Sequence, residues 1–383
     1  MKKRICVVIT ARASYARIKS VMEAVQDHQR LELQLVVGAS ALLDRFGSAI
    51  DVIRSDGFEP DAQVFMVVEG ENLVTSTKST GLGIIELASI FENLRPDAVL
   101  SVADRYETIA TAIAGSFMNI PVIHVQGGEV TGSIDEKVRH SVTKLADLHM
   151  VANENAAERL RRMGERPDKV FVTGCPSIDL AARVKKTGGH LKRDNLTHGV
   201  GAVLDPKEDY IIVMQHPVTY EWRDTGRQFT ETLEAVQRNA IPAYWFWPNV
   251  DAGSDEGSRA IRKFRERGLV PNVHFLKNLA PEEFLELLLH ARAIVGNSSV
   301  GIREAAYFGT PTVNIGSRQR GRDHALNVIH TPYDNQAITK AINAQLTNGH
   351  YDGSQLFGDG GAGNRIAEHI ASVELTTDKR IAY

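Results

Sequence analysis

Residues 293–322 read AIVGNSSVGIREAAYFGTPTVNIGSRQRGR. An apolar strand runs into a turn of small residues, a helix opens at once, a second strand follows Gly309-Thr310-Pro311, and a cationic loop closes the segment. A helix start leaves its first backbone N–H groups unpaired and carries partial positive charge, so Gly296-Asn297-Ser298-Ser299 is expected to present donors to an anion. The hydroxyls of Ser298 and Ser299 add two more. Glu304 lies about one helical turn deeper, where a carboxylate accepts from the two hydroxyls of a ribose. Arg318, Arg320 and Arg322 supply guanidinium forks for phosphate. Each piece alone also fits a capped helix, a buried parallel strand or a solvated basic loop. Their order points to a nucleoside-diphosphate cradle.

The rest of the chain repeats this alternation. Apolar runs at 5–9, 33–37, 98–102, 122–125, 148–151 and 170–172 read as strands buried on both faces. Helical patterns at 17–26, 81–94, 107–118, 138–145 and 156–163 would cover those faces. A second series places strands at 210–214, 243–247, 273–275, 293–295 and 312–314, with helices at 229–238, 258–267, 284–290, 303–308 and 336–346. Between the two, KKTGGHLKRDNLTHGVGAVLDPK (185–207) is rich in Gly, His and charge and reads as a linker. The expected fold class is α/β, with two Rossmann-like doubly wound domains, 1–184 and 208–361, facing a cleft. Ligands of open α/β sheets bind outside the carboxyl ends of the strands.

Composition narrows the function. In 383 residues, Lys and Arg total 44 against 47 Asp and Glu, a formal charge of -3, so no polyanion-binding surface is announced and nucleic acid is not expected as a partner. Met1-Lys2-Lys3-Arg4 and the apolar run after it resemble a leader only superficially, since the run is short and Arg12 and Arg17 follow. No segment approaches the length of a membrane span, and no membrane association is expected. The two cysteines, Cys6 and Cys175, sit in apolar surroundings and read as inert buried thiols, which fits a reducing cytoplasm. Nothing in the spacing of His, Cys, Asp and Glu calls for a metal or a cofactor.

The polar residues cluster where strands end. Arg12 follows the first strand and is either an anion contact or a solvated surface group. Asp104, with Arg105 beside it, follows the strand at 98–102 and is either a helix cap or a catalytic acid. The densest polar run is HVQGGEVTGSIDEKVRH (124–140), which joins a strand to a helix. Its glycines allow close backbone approach to a ligand, Glu129 and Asp135 offer proton acceptors, and Arg139 and His140 lie one turn into the helix. A loop with a capping Asp135 and surface charges is the plainer alternative. His216 ends the strand at 210–214, and Asn249 lies in a segment, FWPNVD, that ends another.

Taken together, HVQGGEVTGSIDEKVRHSVTKLADLH, MQHPVT, WPNVDAGS, GNSSVGIREAAYFGTPTVNIGSRQRGR and LFGDGGAGNRI resemble the hydrolysing UDP-N-acetylglucosamine 2-epimerases, over nearly the whole chain. The resemblance implies a glycosyltransferase-B-like fold, UDP held mainly by the C-terminal domain, and a last helix at about 362–383 crossing back to the first. It implies that Ser298 and Ser299 hold the diphosphate and Glu304 the ribose. Arg12, Arg105, His216, Arg318 and Arg322 would face the phosphates or their charge in the transition state. Asp104, Glu129 and Asp135 become the acid/base candidates, with Gln126, Arg139, His140 and Asn249 lining the substrate. The implied reaction removes the C2 proton of the sugar and expels UDP to give a glycal, which water attacks to release ManNAc. The relatives assemble as homodimers or homotetramers, and the resemblance places the chain in sialic acid biosynthesis.

Three positions depart from the family pattern. Gln126 stands where the sialic-acid branch usually has a glutamate assigned to proton transfer, and an amide cannot act as a base. Ala103 and Ala16 stand where glycine and a small polar residue are common. These changes would suit a branch acting on UDP-2,4-diacetamido-2,4,6-trideoxyhexose, the sugar nucleotide of legionaminic acid synthesis. A UDP-sugar glycosyltransferase would need an acceptor channel, whereas the run 124–140 suits acid/base work on the ring. A non-catalytic UDP-sugar-binding protein would explain Gln126 but not Asp104, Glu129, Asp135 and His216 together.

Overall fold

The computed structural model describes residues 2–44, 47–70, 72–102, 105–189, 196, 198–248 and 251–382. They divide into two compact units: Met1–Glu129, Ile134–Asp179 and Phe357–Tyr383 form the first, Val130–Ser133 and Leu180–Leu356 the second.

The first unit begins β1 (Lys3–Ile9), α1 (Arg12–Asp27), β2 (Leu31–Gly38), α2 (Ala49–Ser55), β3 (Ala62–Val64), α3 (Leu73–Leu94) and β4 (Ala98–Val102). It continues through α4 (Thr108–Phe117), β5 (Val122–Val125), α5 (Ile134–Leu145), β6 (Leu148–Val151), α6 (Glu154–Arg162) and β7 (Val170–Val172). Its sheet has the order β3-β2-β1-β4-β5-β6-β7, with every neighbouring pair parallel. Successive residues of β1 serve opposite faces. Ile5, Val7 and Ile9 enter a core with α1, and Cys6 and Val8 one with α3, α4 and α5. Each fully buried aliphatic side chain of this kind contributes about 1.5–3 kcal/mol. Burial also raises the Cys6 thiol far above its ordinary value.

The chain passes between units within α7 (Pro176–Thr187). The second unit holds β8 (Gly199–Gly201), β9 (Ile211–Met214), α8 (Thr225–Asn239), β10 (Ala243–Phe246), α9 (Ser254–Glu266), β11 (Val273–Leu276) and α10 (Pro281–His290). It ends with β12 (Ala293–Gly296), α11 (Glu304–Phe308), β13 (Thr312–Ile315), β14 (Val328–Thr331) and α12 (Asn335–Asn348). The sheet order is β14-β13-β12-β9-β10-β11-β8, parallel except for β8, which pairs antiparallel with β11 at the edge. Ile211 and Val213 of β9 meet α8, α9 and α12, while Ile212 and Met214 meet α10 and α11. Of the segment read as a linker, 185–187 complete α7, and 190–195 and 197 lie outside the described residues.

The last helix, α13 (Ala362–Ser372), belongs to the first unit and packs on α1. Asp179 caps it from a distance: its carboxylate accepts from the Ala362 and Gly363 amides at 2.9 and 2.6 Å and from the Ser20 hydroxyl. At the other end, Lys3 Nζ donates to the carbonyls of Ile370, Ala371 and Val373. The helix expected over 362–383 stops at Ser372, and the chain continues as an extended strap. Lys379 of the strap donates to the Thr143 and Ala146 carbonyls and to Glu165, which also contacts Lys144 at 2.7 Å and His149 at 2.9 Å. Burial would raise the Glu165 carboxyl, but these three hydrogen bonds outweigh it and bring it down to about 2. Among the described residues, no helix is long and apolar enough to cross a membrane.

Candidate functional site

In the second unit, Gly296 ends β12 at a φ of +135°, and a Cβ there would lie 2.0 Å from the Met214 carbonyl oxygen. Glycine therefore lets β9 and β12 finish side by side, which brings His216 to Asn297. Asn297 is fully buried; its Oδ1 accepts from the His216 amide at 2.7 Å and its Nδ2 donates to the His216 carbonyl at 2.8 Å. The same Nδ2 reaches the Tyr333 hydroxyl at 3.3 Å, a phenol that burial pushes up to about 12. The Asn297 carbonyl accepts from Gln319 Nε2 at 2.8 Å and Arg318 Nη1 at 3.3 Å. Arg322, buried, donates to Gln319 Oε1 at 2.7 Å. One asparagine thus ties together the tips of β9 and β12 and the cationic loop after β13. Arg320 is exposed.

The helix expected at 303–308 is α11, but the chain does not enter it directly from the small-residue turn. A 3-10 turn, Ser299–Gly301, comes first, and α11 has five residues. The turn is cramped because a Cβ on Gly301 would lie 2.7 Å from Thr312 Cγ2. Such a short helix offers little dipole, so side chains must supply much of the anion-binding capacity. Ser298 caps the turn, accepting from the Val300 amide at 3.4 Å. Ser299, 5% exposed, accepts from Arg303 Nη2 at 2.9 Å. Glu304 is also 5% exposed, and its Oε2 has no hydrogen-bond partner among the described residues; Arg303 Nε stands 4.0 Å away. A buried carboxylate oxygen left in this way is costly unless a donor arrives. The 2′- and 3′-hydroxyls of a ribose are donors of that kind.

The first unit carries a different set. Arg12 opens α1, and its guanidinium is lowered to about 10 by burial and then by the charge of Arg105. Two cations therefore stand close enough to feel each other, an arrangement that suits a polyanion between them. Arg105 is buried and donates to Glu107 Oε1 at 3.1 Å, with Glu107 itself 1% exposed. Asp104, the expected neighbour, lies outside the described residues, as does Asn249.

Beyond β5 the polar run 124–140 turns sharply. Gln126 adopts a left-handed φ of +67°, and Gly128, at +74°, passes so close to α6 that a Cβ would lie 2.3 Å from the Ala156 carbonyl oxygen. The Gln126 side chain donates to the Cys175 thiol at 2.9 Å, and that thiol is 3.0 Å from the Ser177 hydroxyl. Cys175 is thus not packed in a strand as its sequence context suggests; it follows β7 and makes polar contacts. Glu129 and Arg139 are both buried, 3.9 Å apart. Asp135 is buried in the first turn of α5. Arg139 and His140 diverge, because neighbours on a helix point about 100° apart: Arg139 goes inward, whereas His140 pairs with Glu136 at 2.9 Å on a half-exposed face. The residues Val130–Ser133 count with the second unit, where the Gly132 amide donates to the Arg318 carbonyl at 2.8 Å.

The second unit therefore gathers His216, Ser298, Ser299, Glu304, Arg318 and Arg322 around the strand tips β9, β12 and β13. The first gathers Arg12 with Arg105 and Glu129 with Arg139, and holds Gln126 and Asp135 in the loop after β5. Sequence reasoning passed over Glu107, Arg303, Gln319 and Tyr333, and gave Asn297 only backbone donors. The order GNSS-x-GIRE contained the signal for Arg303, a charge four residues after Ser299, on the same side of a helical turn.

Residues 23–371 match the family described as UDP-N-acetylglucosamine 2-epimerase. A UDP-N-acetylglucosamine 2-epimerase of Neisseria meningitidis serogroup B is 31% identical, covering 97% of this chain and 95% of that protein. A UDP-N,N'-diacetylbacillosamine 2-epimerase (hydrolyzing) of Legionella pneumophila is 30% identical, covering 98% and 97%. Among solved structures, the Methanocaldococcus jannaschii UDP-GlcNAc 2-epimerase in complex with UDP-GlcNAc and UDP superposes with a TM-score of 0.79 at 17% identity, covering 96% of this chain and 99% of that one. That likeness shows the fold, which is α/β with two parallel-rich seven-stranded sheets of the glycosyltransferase-B-like type. With 349 of its 383 residues inside the family match, from 23 to 371, the chain belongs to the UDP-N-acetylglucosamine 2-epimerase family.

Proposed function

We propose that the protein is a hydrolysing 2-epimerase that converts UDP-N-acetylglucosamine and water to N-acetylmannosamine and UDP. A base removes the C2 proton; the C1–O bond to UDP breaks, its electron pair leaves with the β-phosphate oxygen, and a C1=C2 double bond remains. Water then adds its oxygen at C1 while a proton is delivered to C2 on the opposite face. Both steps need positioned acid/base groups and stabilisation of the departing diphosphate.

The observation that carries the reading is the unpartnered, buried Glu304 oxygen in the same loop as Ser298 and Ser299. In this reading the ribose hydroxyls satisfy Glu304, and the serines hold the diphosphate. Arg318, Arg322 and His216 of the second unit, with Arg12 and Arg105 of the first, meet its charge. Asp104, Glu129 and Asp135 are the acid/base groups, and Gln126, Arg139, His140 and Asn249 line the sugar. With an amide at 126, donating to Cys175, the base is Glu129 or Asp135. The same amide, together with the hydrolysing Legionella relative, favours a second substrate with this chemistry, UDP-2,4-diacetamido-2,4,6-trideoxyhexose.

Proton NMR of the purified protein with UDP-GlcNAc in D2O tests the proposal. Free UDP together with ManNAc deuterated at C2 is the expected result. Conversion to UDP-ManNAc with no free UDP would replace hydrolysis by simple epimerisation. Turnover of the diacetamido sugar nucleotide alone would move the specificity to the second substrate, and no turnover of either would refute the enzyme.

A further inference from the structure

We infer that Arg303 is a positioning residue for the diphosphate: it makes the Ser299 hydroxyl a hydrogen-bond donor to the phosphates. The inference rests on the reading of Ser299 as a diphosphate contact.

Arg303 is 1% exposed and ranks among the largest fully buried side chains of the chain. Burying a guanidinium is costly, so its contacts are informative. Nη2 donates to Ser299 Oγ at 2.9 Å, both atoms belonging to the short run between β12 and α11. A guanidinium has five donors and no acceptor, so in this pair the serine oxygen can only accept. The hydroxyl has one proton, and that proton is therefore directed to a different acceptor. For an incoming UDP the acceptor is a phosphate oxygen. Without Arg303 the hydroxyl can rotate, and part of the diphosphate affinity is lost to that rotation.

Arg303 also brings a fixed positive charge beneath a loop whose own helix is too short to provide much field. Its Nε flanks Glu304 at 4.0 Å, beyond hydrogen-bond reach, so the carboxylate's Oε2 is not used up by the arginine. A lysine at this position would keep the charge but lose the planar fork.

The test compares inhibition constants for UDP and for uridine, which lacks the phosphates, in wild type, Arg303→Gln, Arg303→Lys, Ser299→Ala and the double variant Ser299→Ala/Arg303→Gln. Expected are a loss of UDP affinity of about ten- to hundredfold in Arg303→Gln and a change of less than about threefold for uridine. KM for the UDP-sugar should rise with the UDP constant while kcat at saturation changes little. The two substitutions should be non-additive, the double variant losing clearly less than the two single losses combined. Arg303→Lys, which keeps the buried charge, carries the test if Arg303→Gln does not fold, and should also lose UDP selectively. Equal losses for UDP and uridine, or fully additive losses, would overturn the inference. A wild type that binds no UDP would sink the reading of the site itself; one that binds UDP while Arg303→Gln binds it equally well would sink the inference alone.

Discussion

The loop after β5 in the first unit and the loop after β12 in the second both leave a buried parallel strand through positive φ, at Gln126 and Gly128 in the one and at Gly296 in the other, and both bury a glutamate about 4 Å from an arginine, yet they differ in what surrounds that pair. In the first, acid and base are matched inside the protein: Glu129 faces Arg139, and nearby Arg105 bonds Glu107. In the second, donors are lined up by Asn297 and Arg303 while Glu304 keeps an oxygen without a hydrogen-bond partner among the described residues. A cation beside a buried carboxylate favours its ionised form, the form able to accept a proton from a substrate, and the arginine keeps its own proton throughout. A carboxylate with one oxygen lacking a hydrogen bond, beside oriented hydroxyls, suits binding, because the ligand completes it. On the proposed function, the contrast would divide the work: chemistry in the first unit, nucleotide affinity in the second.

The largest expected effect breaks that division if it fails. Glu129→Gln should lower turnover by about a hundred- to ten-thousandfold while leaving the UDP dissociation constant within about threefold, measured by product release and titration calorimetry. A comparable loss of UDP binding would show that the two loops do not divide the labour. Glu304→Gln is the converse, raising the UDP constant about tenfold or more with kcat at saturation nearly unchanged.

A third substitution leaves both loops alone and measures what holds the first unit's strap. Glu165→Gln should destabilise the protein by on the order of 2 kcal/mol at pH 7, read by denaturant unfolding. The folded Glu165 carboxyl, at about 2, lies below its ordinary 4.5. Its contribution is therefore fully present above pH 4.5 and drains away as pH falls toward 2, so the gap between variant and wild type should close over that window. A gap that stayed constant with pH would mean that packing, not charge, anchors the strap. The smallest effect sharpens the comparison within a single helix. His140→Ala should alter stability by roughly a few tenths of a kcal/mol, whereas Arg139, one residue away but buried opposite Glu129, should be intolerant of the same change.

Much of the fold was legible in the chain. Strands such as β1 from Ile5 onward, β9 and β12 carry unbroken apolar runs because helices cover both faces of a parallel sheet, and such runs survive any later packing detail. Edge strand β7 was read at 170–172, but the other three edge strands gave no comparable signal. β3 has three residues, β8 is Gly-Val-Gly, and β14 has His330 exposed, since an edge needs no apolar face on its outer side. Residue type located the ligand loops, yet it did not tell which charges turn inward. Arginine is ordinarily a surface residue, so nothing in periodicity marks Arg303 as buried, or separates Arg139 from His140. The 3-10 turn ahead of α11 was equally hidden, because Gly301 packs against Thr312 at the start of β13, a tertiary contact.

The return of α13 to α1 also bears on how the chain is made. The apolar stripe of Ile366, Ala367, Ile370 and Ala371 completes the first unit's core, and the Asp179 carboxylate awaits that helix's amides. A ribosome adds roughly 5–20 residues per second, so between the emergence of Asp179 and of Ser372 the α1 face stays uncovered for roughly ten to forty seconds. The later-encoded half, whose strands and helices all precede α13, can close first. The earlier half is finished last, and in that interval it is the part of the nascent protein on which a chaperone that shields apolar surface would act.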